Sequence, residues 1–242
     1  MKNLILILCF SISSLSFAQD DSEAFMKDLN ISNIMELSER LTEAKYANSY
    51  TFDTQISVQV RHAEQQTQMN FSFGTEIMMI QMDAASNLKI IHDYNNKAMV
   101  TIDESEKTIF ALPLDFMEDM ISGLQEEDDA PSNYRKTGRS RTILGYRAEE
   151  YVAEDDAVKI NLWFSEEVPI DNSSMLKEME KSGMVFAFNV DMENKNGIVM
   201  EMTATEKTNQ TTTKMKVVSI ETKKNSSLNT QKYNRIDMNY GK

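Results

Sequence analysis

Strict alternation of apolar and polar residues is the dominant pattern along this chain. In the stretch "SYTFDTQISVQVR", one face carries Tyr50, Phe52, Ile56, Val58 and Val60, and polar side chains fill most of the positions between them. Side chains of a strand point alternately to its two faces, so a period of two indicates a strand that is buried on one side. The stretch therefore predicts a long, half-buried strand.

The same pattern recurs in short segments that are separated by turn residues. "TQMNFSF", "EIMMIQM", "LKIIHDY", "KAMVTID" and "KTIFAL" follow one another, with breaks at Gly74-Thr75 and Asn95-Asn96. "VKINLWFS", "MVFAFNVDM", "IVMEMTA" and "TTTKMKVVSIET" repeat it in the second half, where Asn196-Gly197 marks a further turn. Short strands joined by tight turns predict an antiparallel meander.

The charged stretch "KTGRSRTILGYRAEEYVAED", residues 136–155, admits three interpretations: a nucleic-acid grip, a charged helix or a hairpin. Gly138, Gly145 and the β-branched Thr142-Ile143 disfavour a helix, and no apolar period of 3.6 is present. We predict a hairpin with a turn or bulge at Gly145, whose charges, including those of Arg139 and Arg141, face water.

Three segments break the β pattern and predict helices with one apolar side. "NIMELSERLTEAK" follows Ser32, a good capping residue, a second segment runs from Pro113 to Gly123, and a third runs from about Asn172 to Ser182. The fold class predicted from strands and helices together is mostly β (α+β), an antiparallel half-open β-barrel with a few covering helices.

The N-terminus has the pattern of a secretory signal peptide. Lys2 precedes the apolar run "LILILCFSIS", and Ser16-Phe17-Ala18 provides a cleavage site after Ala18. A membrane anchor is the alternative, but the run is shorter than the roughly 20 residues that span a bilayer. We expect a signal peptide at 1–18, one β-rich domain at 19–222, a polar and flexible tail at 223–242, and a periplasmic or secreted protein without a transmembrane segment after cleavage. Cys9, the single cysteine, lies inside the apolar run and is not placed for lipid modification.

Charge and motifs narrow the classes of function. The net charge of −13 argues against nucleic acid as a partner, because binding phosphates requires a clustered basic surface. His62 and His92 lie on separate predicted strands without a metal-binding spacing, and no nucleophile elbow, zinc-protease motif or phosphate-binding loop is present. We predict no enzymatic activity, no cofactor and no metal; glycoside hydrolysis by carboxylates is the enzymatic alternative.

The stretch from Thr137 to Ser165, "TGRSRTILGYRAEEYVAED…INLWFS", resembles a family of secreted bacterial envelope proteins of unknown function. Their shared pattern is a Thr-Gly turn before Thr-Ile-x-Gly-Tyr, a Glu-Tyr pair and a strand that contains Trp. That family is similar to the LolA/LolB-like lipoprotein-carrier group, which implies an antiparallel half-barrel closed by helices over an apolar cavity. Several relatives carry Cys where this chain has Ala148, which removes any redox or metal role at that position.

Methionine is the least ordinary component of the chain, with 18 residues. Flexible thioether side chains suit a surface that repacks around variable apolar shapes, although methionine also substitutes for leucine in a closed core. Thioethers select Cu(I), and "MEM" and "MMIQM" offer a third interpretation, which we set aside because no His or Cys lies near them in sequence. We predict binding or carriage of a hydrophobic small molecule or lipid; the alternative is an envelope adaptor with a filled core and a protein partner. The candidate cavity residues are Phe116, Met117, Met120, Met175, Met179, Phe186, Phe188 and Met200.

Overall fold

The described part of the chain forms one large β-sheet. The computed structural model describes residues 44–115, 133–168, 170 and 197–236. Twelve strands lie in these residues, together with two short 3-10 turns at Asp83–Ala85 and Thr230–Lys232. The strands are β1 (Ser49–His62), β2 (Gln65–Gly74), β3 (Ile77–Met82), β4 (Leu88–Asp93), β5 (Ala98–Asp103), β6 (Thr108–Pro113), β7 (Arg135–Ile143), β8 (Tyr146–Glu154), β9 (Val158–Ser165), β10 (Ile198–Glu206), β11 (Thr212–Asn229) and β12 (Asn234–Arg235).

Two antiparallel meanders build this sheet. Its strand order is β12-β6-β5-β4-β3-β2-β1-β11-β10-β9-β8-β7, and the first meander joins the second where β1 pairs with β11. Every pairing is antiparallel except the short parallel contact of β12 with β6. The mostly β, antiparallel prediction is confirmed. The sheet is open rather than closed into a barrel, and no covering helix is seen within the described residues.

Several predicted elements lie outside the described residues. These are the strand "MVFAFNVDM" and nearly all of the three helical segments. The hairpin predicted at 136–155 is confirmed as β7 and β8, joined by a two-residue turn at Leu144-Gly145. Both turn residues have positive φ, 52° and 89°, which is the conformation of the type I′ turn that matches the twist of a hairpin.

The sheet curls strongly around its first half. The end of β11 and the start of β12 are only five residues apart, a span of about 18 Å at most. These two strands are seven strand spacings apart in the sheet order, which is about 33 Å in a flat sheet. The sheet must therefore bend, and a hydrogen bond of 2.8 Å from the Tyr50 hydroxyl to Asp93 links the start of β1 to the end of β4 across the bend.

Both faces of the curled sheet are buried in its first half. Ile77 and Met78 are neighbours in β3, point to opposite faces and belong to two different hydrophobic clusters. The larger cluster lies on the Met78 side and extends over β1–β3 and β8–β11. The smaller cluster lies on the Ile77 side, where β4–β6 are closed by the start of β1 and the end of β11.

The prediction of a polar and flexible tail from residue 223 is wrong for the residues up to Arg235, which form strands and packing contacts. Strand β11 continues to Asn229, and Tyr233 is buried in the smaller cluster. The Tyr233 hydroxyl donates to Glu104, which also accepts from Lys89 Nζ at 2.6 Å, and the Asn234 amide donates to the Lys107 carbonyl. The two buried apolar residues of this polar stretch, Leu228 and Tyr233, were too few to produce a visible apolar period.

Candidate functional site

Only one of the eight predicted cavity residues lies within the described part of the chain. Met200 is fully buried, and the other seven lie outside the described residues. Met200 occupies a bulge, because the register of β10 against β9 shifts between Val199 and Glu201. The sequence placed Ile198, Met200 and Met202 on one face; the first two belong to the larger hydrophobic cluster and Met202 packs against it, while the bulge interrupts the regular alternation between them.

Five other methionines share one face of the sheet, which we call the methionine face. Met69 on β2 lies opposite Met82 on β3, and Met202 on β10 lies opposite Met215 on β11. Met78 lies four residues before Met82 in β3 and therefore points to the same side. Ile56, Val58, Phe71 and Leu162 fill the intervening positions. All of these side chains are buried except Met202, which is half-buried and packs against them. Methionine therefore lines a continuous apolar surface, and the surface is closed in this structure.

His92 lies on the same side of the sheet as Met78. It pairs with Met78 on β3 and with Met99 on β5, and its side chain is almost completely buried. The Tyr94 ring lies roughly parallel to the imidazole, with ring centroids 6.3 Å apart. Burial lowers the pKa of His92 to about 4, so the ring is neutral at pH 7.

A polar cluster occupies the opposite face of β7–β10. The buried carboxylate of Glu150 accepts hydrogen bonds from Arg139 Nε and Nη2, from Thr137 Oγ1 at 2.6 Å and from Asn161 Nδ2 at 2.9 Å. Burial raises the pKa of Glu150, but these donors outweigh it and hold the pKa below its usual value. Arg139 faces water as predicted, but the prediction missed that its partner carboxylate is buried.

Arg141 is also engaged rather than simply solvated. Its guanidinium lies over the Trp163 ring, with 4.1 Å from Cζ to the ring centroid, and its Nη2 pairs with Glu201. Glu150, Trp163 and Glu201 are consecutive cross-strand neighbours on β8, β9 and β10. Sequence reasoning missed this cluster because its members come from four strands and only the pairing of those strands unites them.

A cleft of about 300 Å³ lies at the bend of the sheet. Backbone and polar side chains dominate its lining, which includes Thr51, Asp53, Thr75 and Asn225 beside Phe52. Such a lining suits water or a polar group better than an acyl chain.

The described helical segments include none with the length and apolarity needed to cross a membrane. Groups of three or more His, Cys, Asp or Glu suited to a metal ion are likewise absent from the part of the chain that the structure describes.

Residues 52–230 match the family described as Domain of unknown function (DUF4412). No curated protein matches the chain. Among solved structures, the chain is similar to PNGF-II in its P21 crystal form (12% identity, TM-score 0.39), covering 78% of this chain and 31% of that one. It is similar to MucB in complex with MucA(peri) (10% identity, TM-score 0.38), covering 78% and 55%. A putative outer membrane lipoprotein-sorting protein domain from Vibrio parahaemolyticus is also similar (12% identity, TM-score 0.30), covering 81% and 94%.

The chain thus spans about a third of PNGF-II and just over half of MucB. Likeness at these identities and TM-scores assigns no activity, ligand or partner.

Proposed function

The chain belongs to the DUF4412 family of domains of unknown function, and from its geometry we propose that it binds a hydrophobic ligand, a lipid or an acyl chain, on the methionine face. In this proposal the protein is a non-enzymatic carrier of the periplasm or the extracellular space. The observation that carries it is the continuous apolar surface across β1–β3 and β9–β11, in which methionines alternate with branched and aromatic residues.

The chemistry of methionine supports this choice of ligand. The unbranched thioether has three rotatable bonds and fills irregular gaps, so a surface rich in methionine accommodates apolar chains of different shape. Met69, Met82, Met202 and Met215 form two directly opposed pairs on this surface. A ligand that enters between the two pairs meets adaptable side chains on both sides of the rigid residues Val58 and Phe71.

The proposal requires that the face open, since its residues are buried in the free protein. The same burial favours the alternative function, an envelope adaptor whose core is filled and whose outer surface contacts another protein. The Arg141–Trp163 pair supplies an arginine and an aromatic side chain on such a surface, two residue types enriched at interfaces.

Titration with a fluorescent fatty acid tests the carrier proposal. We expect the wild type to bind with a blue-shifted emission at micromolar concentration. Met202→Asp places a carboxylate on the methionine face and should weaken binding at least tenfold, about 1.4 kcal/mol, because an unpaired charge on an apolar surface is costly. Thr203→Asp is the matched control, since Thr203 is the next residue of β10 and faces the opposite side.

Thermal melts of both variants separate lost binding from lost folding. Equal loss of affinity in two folded variants would contradict binding on the methionine face. A folded wild type that binds neither the probe nor an extracted lipid would remove the carrier function and leave the adaptor. Met120→Asp, at a predicted cavity residue outside the described part, extends the test: reduced binding in a folded variant would support the candidate residues near Phe116 and Met117.

A further inference from the structure

One row of side chains crosses β3, β4 and β5 on a single face of the sheet. Met78 lies directly opposite His92, and His92 lies directly opposite Met99. The sequence motif "MMIQM" begins at Met78, and no histidine is near it in sequence, but the hairpin of β3 and β4 brings His92 next to it. An imidazole between two thioethers is a set of donors suited to a soft metal ion.

Backbone hydrogen bonds determine how closely these side chains approach. The Tyr94 amide donates to the Glu76 carbonyl at 3.0 Å, so Tyr94 and, two residues earlier, His92 direct their hydrogen bonds toward β3. His92 and Met99 therefore form the non-hydrogen-bonded type of antiparallel pair, whose Cα atoms are about 4.5 Å apart. The Met78–His92 pair is of the hydrogen-bonded type, at about 5.5 Å. Both spacings are similar to the length of a methionine side chain, so either sulfur can share a ligand with the imidazole that projects from the same face.

We propose that Met78, His92 and Met99 form a binding site for a soft monovalent metal ion, Cu(I) or Ag(I). Thioether sulfur and neutral imidazole nitrogen are ligands that Cu(I) prefers, whereas Mg²⁺ and Ca²⁺ require oxygen ligands.

The surroundings of the row suit this class of ion. Phe73 pairs with Met78 on β2, and the Tyr94 ring lies beside the imidazole, so the row has an apolar shell. Met99 is only half-buried, in contrast to Met78 and His92, so it offers the side from which an ion enters. The net charge of −13 raises the local concentration of cations at the surface.

Calorimetric titration of the full chain with Ag(I), and competition with a chromogenic Cu(I) chelator under reducing conditions, test the site. We expect the wild type to bind at micromolar concentration or tighter. Met78→Leu and Met99→Leu should each weaken binding at least tenfold while preserving the fold, because leucine conserves side-chain volume without the sulfur. Met69→Leu is the matched control, since Met69 lies on the same face but pairs with Met82.

A nuclear magnetic resonance readout distinguishes this site from ions held by other methionines. Addition of Ag(I) should shift the imidazole signals of His92 and leave those of His62 unchanged, because His62 lies at the far end of β1 and contacts Thr213. The proposal is overturned if the wild type binds neither ion, if all three leucine variants lose affinity equally, or if the His92 signals do not move. None of these results depends on whether the protein binds a lipid.

Discussion

Replacing Arg139 tests whether its ion pair with the buried Glu150 stabilises the fold. The sequence predicts that changing Arg139 has no effect, because a charge in a hairpin faces water. In the structure its partner Glu150 has a side chain that is only 3% exposed, and Arg139 supplies two of its hydrogen bonds. Arg139→Ala therefore leaves a buried carboxylate without its cation.

The magnitude follows from the remaining partners. Breaking a fully buried ion pair costs about 3–5 kcal/mol, but the Arg139 side chain is 67% exposed and water replaces part of its contribution. Thr137 and Asn161 continue to donate to the carboxylate. We expect Arg139→Ala to reduce the free energy of unfolding by about 1–3 kcal/mol, the usual cost of depriving a buried polar group of one partner.

Arg147→Ala is the matched control in the same hairpin. Arg147 pairs with Glu149 at 3.5 Å, and both side chains are more exposed, at 64% and 24%. An exposed pair of this kind contributes about 0–1 kcal/mol. Urea unfolding at pH 7 compares the two variants, and equal losses would refute the assignment of Glu150 as a buried, arginine-dependent carboxylate.

The pH dependence of the same pair gives an independent check. The pKa of Glu150 is lower in the folded protein than in the unfolded chain, so its contribution to stability is complete above the unfolded pKa of about 4.3 and is lost as the pH falls through the folded value. The difference in stability between the wild type and Arg139→Ala should therefore shrink below pH 4. A difference that stays constant down to the acid limit of folding would contradict this explanation.

Four further substitutions test the turn, the bend and the C-terminal segment. Residues 144 and 145 both have positive φ, which valine resists and asparagine tolerates. Gly145→Val should therefore lower the free energy of unfolding by about 1–3 kcal/mol, and Leu144→Asn should raise it by about 0.5–1 kcal/mol. Urea melts measure both changes. Gly74→Ala should lower the free energy of unfolding by about 1–3 kcal/mol, since a Cβ there would overlap the Thr51 carbonyl of β1. Urea unfolding measures the change, and an unchanged midpoint would contradict this close approach of Gly74 to β1. Glu104→Gln should accelerate hydrogen exchange at the Asn234 amide, which donates to Lys107, because the carboxylate holds the C-terminal segment; unchanged exchange would mean that the segment is held by apolar packing alone.

Local periodicity was sufficient to predict most of the strands. Alternation in "SYTFDTQISVQVR" predicted the buried apolar residues of β1 correctly, because side-chain direction in a strand alternates with position; the burial of Thr54 and Ser57 was not predicted. The bulge at Met200 and the continuation of β11 past Lys223 were missed for a related reason. One extra residue, or two buried apolar residues in a polar stretch, leaves no periodic signal.

The contacts between strands could not be predicted from a pattern that describes each strand separately. Glu150 belonged to a run of charges that indicates a solvated surface, and its burial arises from Arg139, Thr137 and Asn161 on neighbouring strands. His92 was separated from Met78 by 14 positions of sequence but is its direct neighbour in the sheet. The sequence did not show which residues of β3 and β4 begin the pairing, so this register could not be predicted.

Met78 connects the two proposals, because it belongs both to the methionine face and to the row that contains His92. A metal ion that holds the Met78 sulfur removes one adaptable side chain from the surface offered to an acyl chain. A ligand that reaches Met78 in turn withdraws one metal ligand. Such coupling is reciprocal by thermodynamic necessity, so metal must weaken lipid binding by the same factor by which lipid weakens metal binding. If the ligand instead occupies only the part of the face around Met215 and Met202, which lie four and five strands from β4 in the sheet order, the two equilibria are independent even though both use the same face.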